Sequence, residues 1–281
     1  MENTWLNSYK KNIRSQHGED GIIEKIFEII PDCKKFCVEF GAWDGQLLSN
    51  TWNLISNFGW SGLLIECEKD RFLNLKNYYA KNPYVFCVNR FVHFKGENTL
   101  DKILEEYKVP ENFDLLSIDI DGNDYHVWDS MIKYKPKLII IEYNPTIPND
   151  INFIQEASFG INQGSSLMAM IELGKSKGYE FVATTLNNAF FVRSTYFKLF
   201  NISDNSIYLL RKYNPEVECR VYQLYDGTMV YEGNEIHCMT GYRIKKNRLQ
   251  LLPKILRKFQ GRNNKPMIIR ILSAIHRILF K

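Results

Sequence analysis

The chain has no run approaching the ~18–20 consecutive apolar residues that a bilayer-spanning helix needs, which argues against a helical integral membrane protein. Its opening residues, MENTWLNSYKKN, lack the apolar core of a signal peptide, so the expectation is a cytoplasmic protein. Cysteine is sparse. Its six positions (33, 37, 67, 87, 219 and 238) fall mostly in expected strands or their flanks and are read as reduced thiols. Cys33 and Cys37 stand four apart and Cys87 stands alone, so no zinc-site spacing is present. No internal repeat is visible, and nothing matches an RNA- or DNA-binding module. Acid is also missing from one region: Tyr242 to Lys281 holds 12 Lys/Arg and no Asp/Glu.

That gap makes the net charge of +4 misleading, because the first 241 residues hold 24 Lys/Arg against 32 acids. An acidic body is followed by a basic tail. With 281 residues, 45% hydrophobic and 14% aromatic, the chain can bury a substantial core as one large domain or two small ones.

Helical periodicity predicts a first helix over Asp20 to Ile30, with apolar residues at 22, 23, 26, 27 and 30 and a stop at Pro31. Strands are then expected at 36–40, 62–66, 84–88, 114–119 and 137–142. Helices at about 49–57, 69–80, 98–107 and 123–133 separate them. Such alternation argues for βα units and a parallel sheet covered on both faces. The polar segment 144–164 is long for a connection in a compact domain and reads as a lid or substrate loop. A helix at about 165–177 follows, and YEFVATTLNNAFFVR (179–193) reads as a hairpin around Asn187-Asn188. A second hairpin, 221–233, turns at Asp226-Gly227. In the tail, Ile268, Ile271, Leu272, Ile275, Ile278 and Leu279 share one helical face opposite Arg270, Ser273, Ala274 and Arg277. This is the composition of an interfacial anchor, although the same face would also suit packing on the body or on a second subunit.

The chemistry concentrates at strand ends. Residues 36–68 run from strand to the loop Gly41-Ala42-Trp43-Asp44-Gly45, then to a helix and a strand closing on Glu66. Doubly wound folds hold a nucleoside in this way: glycines let the backbone approach the ligand, and the acid accepts both ribose hydroxyl protons. The fourth strand ends in Asp119-Ile120-Asp121-Gly122-Asn123, and the fifth in Glu142-Tyr143-Asn144-Pro145. Asp119 or Asp121 can share Mg²⁺ with Glu142 and Asn144, all hard oxygen donors, and such an ion would activate a substrate hydroxyl. The plainer reading makes Asp121 or Asn123 a helix cap and Asn144 a turn residue. His93 and His126 are candidate general bases, and His17 lies in a polar cluster before the first helix.

SQHGEDGIIEKIFE, VEFGAWDGQLLSNT, GWSGLLIE, DLLSIDIDGNDYHVW, IIIEYNP and GSSLMAMIELGKSKGYEFV…NNAFFV occur in order over about residues 15–193. Together they resemble the FkbM-type S-adenosylmethionine-dependent methyltransferases. The resemblance implies a class I methyltransferase fold, a Rossmann-like α/β doubly wound sheet, mostly parallel with its last strand inserted antiparallel. It also implies methyl transfer to oxygen, commonly of a sugar or polyketide hydroxyl. By position, Glu39, Gly41, Ala42, Asp44 and Gly45 would form the methionine-side loop and Glu66 would take the ribose. Asp119 and Asp121, with His126 as a candidate base, would form the reaction centre. Trp43 stands where methyltransferases at large carry the central glycine of G-x-G-x-G.

The resulting expectation is a methyltransferase domain over 1–198, an accessory hairpin region over 199–241 and a basic helical tail over 242–281. The cofactor would be S-adenosylmethionine, with Mg²⁺ as a candidate metal. The acceptor would be a glycan, glycolipid or related natural product, and the tail would hold the protein at an anionic membrane surface. Two alternatives compete. A nicotinamide-dependent oxidoreductase would want G-x-G-x-x-G where residues 41–46 read GAWDGQ. A non-catalytic scaffold would not need the acids at 39, 44, 66 and 119.

Overall fold

The computed structural model describes residues 3–236, 240–254, 257, 271 and 278. It divides into two compact units, Met1–Lys212 and Tyr213–Lys281. The first is built on seven strands: β1 (Phe36–Phe40), β2 (Ser61–Glu66), β3 (Val85–Asn89), β4 (Leu115–Ile118), β5 (Leu138–Glu142), β6 (Tyr179–Thr184) and β7 (Asn188–Arg193). Their order in the sheet is β3-β2-β1-β4-β5-β7-β6. β1 to β5 pair in parallel, while β7 enters antiparallel between β5 and β6. The antiparallel insertion expected from the hairpin is therefore present. The turn itself lies at Thr185–Asn187, and Asn188 opens β7.

Strand alternation sorts the core into two layers. Val38, Phe40, Leu63, Ile65, Leu116 and Ile118 face one side with α4 (Leu100–Glu106), α5 (Asp124–Ser130) and α6 (Leu167–Ser176). Cys37, Leu64, Leu115 and Ile140 face the other, with α1 (Glu19–Ile29), α2 (Trp52–Phe58) and α3 (Lys69–Tyr78). Burial on both faces explains why these strands read as continuous apolar runs. The order switches at β1, from which the chain runs outward to β2 and β3 and later returns to β4 on the other side. Between the carboxyl ends of β1 and β4 such a sheet leaves a crevice.

The first unit extends past residue 198, because Phe200, Ile202, Ile207 and Leu210 are buried. The second unit contains the expected hairpin, β8 (Cys219–Gln223) against β9 (Met229–Gly233). The amphipathic tail helix lies outside the described residues, apart from Ile271 and Ile278, both exposed. Among the described residues no helix is long and apolar enough to cross a membrane.

At the opposite end of the sheet from the crevice, a buried ion pair ties three strand starts together. Lys137 Nζ lies 3.0 Å from Asp114 Oδ1 and donates to the carbonyls of Pro31 and Asp32. The Phe36 N–H donates to Asp114 Oδ2 (3.1 Å). Replacing Lys137 with Met leaves a fully buried carboxylate without its cation, at a cost of about 3–5 kcal/mol. Urea unfolding should record that loss, and adding Asp114→Asn should recover a large part of it.

Candidate active site

A cavity of about 530 Å³ opens at the carboxyl ends of β1, β2, β4 and β5. This is within the range of small-molecule and cofactor sites. Its first wall is the loop after β1. Gly41 has φ +76°, and a Cβ there would overlap the carbonyl oxygen of Asp119. Only glycine lets the ends of β1 and β4 meet so closely. The Ala42 N–H then donates to the Ile65 carbonyl (3.1 Å) and the Trp43 N–H to Glu66 Oε2 (2.9 Å). Glu66 Oε1 accepts from the Glu68 N–H (2.7 Å). Both carboxylate oxygens are thus fixed, and each keeps a lone pair for a hydroxyl donor. Glu66 is buried and lines the cavity. The Trp43 indole packs against the Arg71 guanidinium at 3.5 Å and leaves the cavity open.

Glu39 lines the same wall, and its carboxylate organises the backbone before α2. Oε2 accepts from the Ser49 and Thr51 hydroxyls (both 2.7 Å) and Oε1 from the Asn50 N–H (2.8 Å). Burial raises its pKa, while these donors pull the other way.

The second wall is acidic. Asp119, Asp121 and Glu142 each bring a carboxylate oxygen within 4.8 Å of the others. Burial, then the adjoining acids, pushes Glu142 up to about 9 and raises Asp119 with it. Like charges this close resist ionising together, which favours a proton retained between the pair. Asp124, behind them, is pushed up to about 6 by burial, opposed by the N–H groups of Ile120 and Gly122.

Two amides complete this end. Asn123 Nδ2 donates to the Ser158 carbonyl (2.9 Å) and Asn187 Nδ2 to Glu142 Oε1 (3.3 Å). Both Nδ2 partners are acceptors, so the amide orientations are set, and each Oδ1 is left without a donor among the described residues. The segment 144–164 supplies the cover by placing Phe159 and Asn162 on the cavity. It is pinned through buried Gln155, whose Oε1 accepts from the Gln163 and Gly164 N–H groups (2.7 and 2.8 Å).

Several expected site residues do other work. His126 does not line the cavity: its Nε2 meets the Gln155 carbonyl at 2.7 Å and pins the covering segment. Asn144 is engaged in a turn: Oδ1 accepts from the Thr146 N–H and hydroxyl and Nδ2 donates to the Gln163 carbonyl. Asp121 takes its place beside Asp119 and Glu142. Asp44 and Gly45 shape the loop from outside the cavity. Asp44 Oδ1 accepts from the Gln46 and Leu47 N–H groups, while Gly45 packs on Leu75 and Tyr79. His93 meets Phe94 at a tilt and Phe159 edge to face. His17 contributes its N–H to Glu19. Ser49, Asn50, Phe91 and Phe159, which the sequence did not single out, line the cavity, as do Asn123 and Asn187, read there only as cap and turn residues. They come from loops that carry no periodic signal.

The strand order and the crevice at the β1/β4 switch define a class I methyltransferase fold. The family model described as Methyltransferase FkbM domain matches residues 95–183, in keeping with the resemblance the motifs carry. The match includes Asp119, Asp121 and Glu142 and stops short of Gly41 and Glu66. No curated protein matches the chain in sequence. Among solved structures, the N-terminal domain of EvdMO1 with SAH bound is 12% identical, with a TM-score of 0.41 over 63% of this chain and 80% of that one. The citrinin polyketide synthase CMeT domain is 12% identical, with a TM-score of 0.40 over 62% of this chain and 51% of that one. A SAM-dependent methyltransferase from Aquifex aeolicus is 10% identical, with a TM-score of 0.37 over 68% and 97%. This chain therefore spans about half of the polyketide synthase chain.

The raised carboxyls make a stability prediction with a definite sign. Asp119 and Glu142 keep protons in the folded protein at pH values where the unfolded chain has lost them. Stability therefore falls as pH climbs from the ordinary carboxylate range toward about 9. Glu142→Gln should raise the melting temperature near about pH 9 and leave it little changed near about pH 4, where both forms are neutral. Parallel melting curves for the two proteins across that range would contradict the shared proton.

Proposed function

We propose that the protein is an S-adenosylmethionine-dependent O-methyltransferase acting on a hydroxyl of a glycan, glycolipid or related natural product. The observation that carries this reading is one cavity with a fixed carboxylate, Glu66, on one wall and an acid cluster on the other. The residues fit the cofactor chemically. Glu66 is held ready for a ribose diol, main chain at Gly41 and Ala42 borders the cavity, and the acids suit a sulfonium cation. When bound, the cofactor supplies an electrophilic methyl group.

The protein's own task is then alignment and proton removal. An oriented hydroxyl gains several kcal/mol of barrier reduction from positioning alone. The ionised member of the Asp119–Glu142 pair is the group best placed to accept the hydroxyl proton, and a raised pKa makes it a competent base near neutrality. The unpartnered oxygens of Asn123 and Asn187 favour a ligand rich in donors, as a polyol is. This supports the sugar class. A second reading gives Mg²⁺ to Asp119, Asp121 and Glu142, where it would lower the pKa of the hydroxyl instead.

Calorimetry with S-adenosylhomocysteine should give binding that Glu66→Ala weakens about tenfold or more, the equivalent of one lost charge-assisted hydrogen bond. No binding at millimolar ligand would end the cofactor assignment. With a labelled methyl donor and a saccharide panel, Asp119→Asn and Glu142→Gln should lower kcat by about 10²–10⁴ while retaining cofactor affinity. Activity abolished by a chelator and restored by Mg²⁺ would select the metal reading over the shared proton.

A further inference from the structure

We propose that the second unit, residues 213–281, docks on a bilayer surface rich in anionic phospholipid. The inference does not depend on methyl transfer. It rests on two features of that unit, its charge and its uncovered apolar side chains.

The unit carries 13 Lys/Arg against 5 Asp/Glu, and all five acids precede residue 236. The described part of the basic stretch is folded onto the hairpin rather than trailing from it. The Met229 N–H donates to Gln250 Oε1 (3.0 Å), and Gln250 Nε2 returns a bond to the Met229 carbonyl (2.6 Å). Leu252 packs on Gly227 at the hairpin turn. Arg243 bridges to Ile236 just past β9, the turn Lys246–Leu249 lies against β9, and Lys246 pairs with Glu235 at 2.8 Å.

The same region leaves large apolar groups in water. Every residue of β8 is exposed. Leu251 and Ile278 are 77% and 78% exposed, and Tyr242 is 76% exposed. Bases interleaved with aliphatic and aromatic side chains are what an interfacial surface uses: the charges meet headgroups and the apolar groups enter the acyl boundary. Nucleic acid would answer the charge and stack on Tyr222, Tyr225 and Tyr242, but it would give Val221, Leu251 and Ile278 nothing to do. A symmetric contact with a second copy would bring together two stretches that each hold twelve bases and no acid.

The test is flotation of the full chain with phosphatidylcholine vesicles, with and without phosphatidylglycerol. The chain should float only with the anionic vesicles and be released by high salt. The triple change Arg243→Glu, Lys245→Glu and Arg248→Glu should weaken partition about a hundredfold or more, at about fivefold for each base. Leu251→Ser should weaken it at unchanged charge, with an unaltered far-UV spectrum and melting temperature showing that each variant folds. The proposal is overturned by failure to float, by equal flotation on neutral vesicles, or by tighter binding to an RNA duplex at matched salt. It is equally overturned by dimerisation that masks the surface.

Discussion

The site depends on the contact between Gly41 and the Asp119 carbonyl, where the ends of β1 and β4 meet with no side chain between them. With that contact made, the loop after β1 can turn at Trp43, which takes a left-handed φ of 50°, and aim its N–H at Glu66. Asp121, just past the other side of the contact, also adopts a left-handed φ of 57°. Leu48 does so too, and all three line the cavity. Non-glycine residues in this region carry strain of order ~1 kcal/mol, which packing elsewhere must offset. Their clustering on one cavity fits a backbone shaped for a ligand.

The same close approach concentrates acids. Glu39 ends up under the loop, and Asp119 and Glu142 project from adjacent parallel strands. Glu39 is stabilised by three local donors, while Asp119 and Glu142 face each other and Asp121 with fewer. Donor supply therefore separates two roles among chemically similar residues. A carboxylate saturated by hydroxyls and N–H groups is a structural anchor. A pair that shares a proton at the edge of a cavity is available to chemistry or to a cation.

Much of this was legible in the sequence because it follows from strand ends. Gly41, Glu66, Asp119, Asp121 and Glu142 could be placed once the βα alternation was read, since open parallel sheets expose their carboxyl ends. Two of the misplacements have a common physical cause. Asn144 and Asp44 are polar residues next to the site in sequence, and each satisfies a local backbone group instead, whereas His126 meets the carbonyl of Gln155, 29 residues on. Short-range hydrogen bonding by Asx side chains competes for such residues. Spacing alone does not reveal which polar side chain a loop will keep for itself. Asn187 and Phe159 were missed for the converse reason. They reach the cavity through the β6–β7 turn and the Gln155-pinned segment, both set by contacts distant in sequence.

The covering segment also bears on which acceptors can enter. Phe159 is fixed by rings on the far side of the crevice, stacking on Phe94 at 5.1 Å and meeting Phe91 at 4.7 Å. Phe91 and Phe159 thus give the cavity an apolar wall beside the orphaned amide oxygens of Asn123 and Asn187. An apolar face next to unmatched acceptors is complementary to a ring with hydrophobic faces and hydroxyl edges. An anionic group at the reacting end would instead meet Asp119, Asp121 and Glu142 and be repelled. Arg71 and Arg90 do line the cavity, but each is already paired, with Glu68 at 2.7 Å and Glu106 at 3.2 Å. The walls therefore disfavour anions where the acids gather, so under the proposed function a phosphate on the acceptor lies away from the reacting hydroxyl.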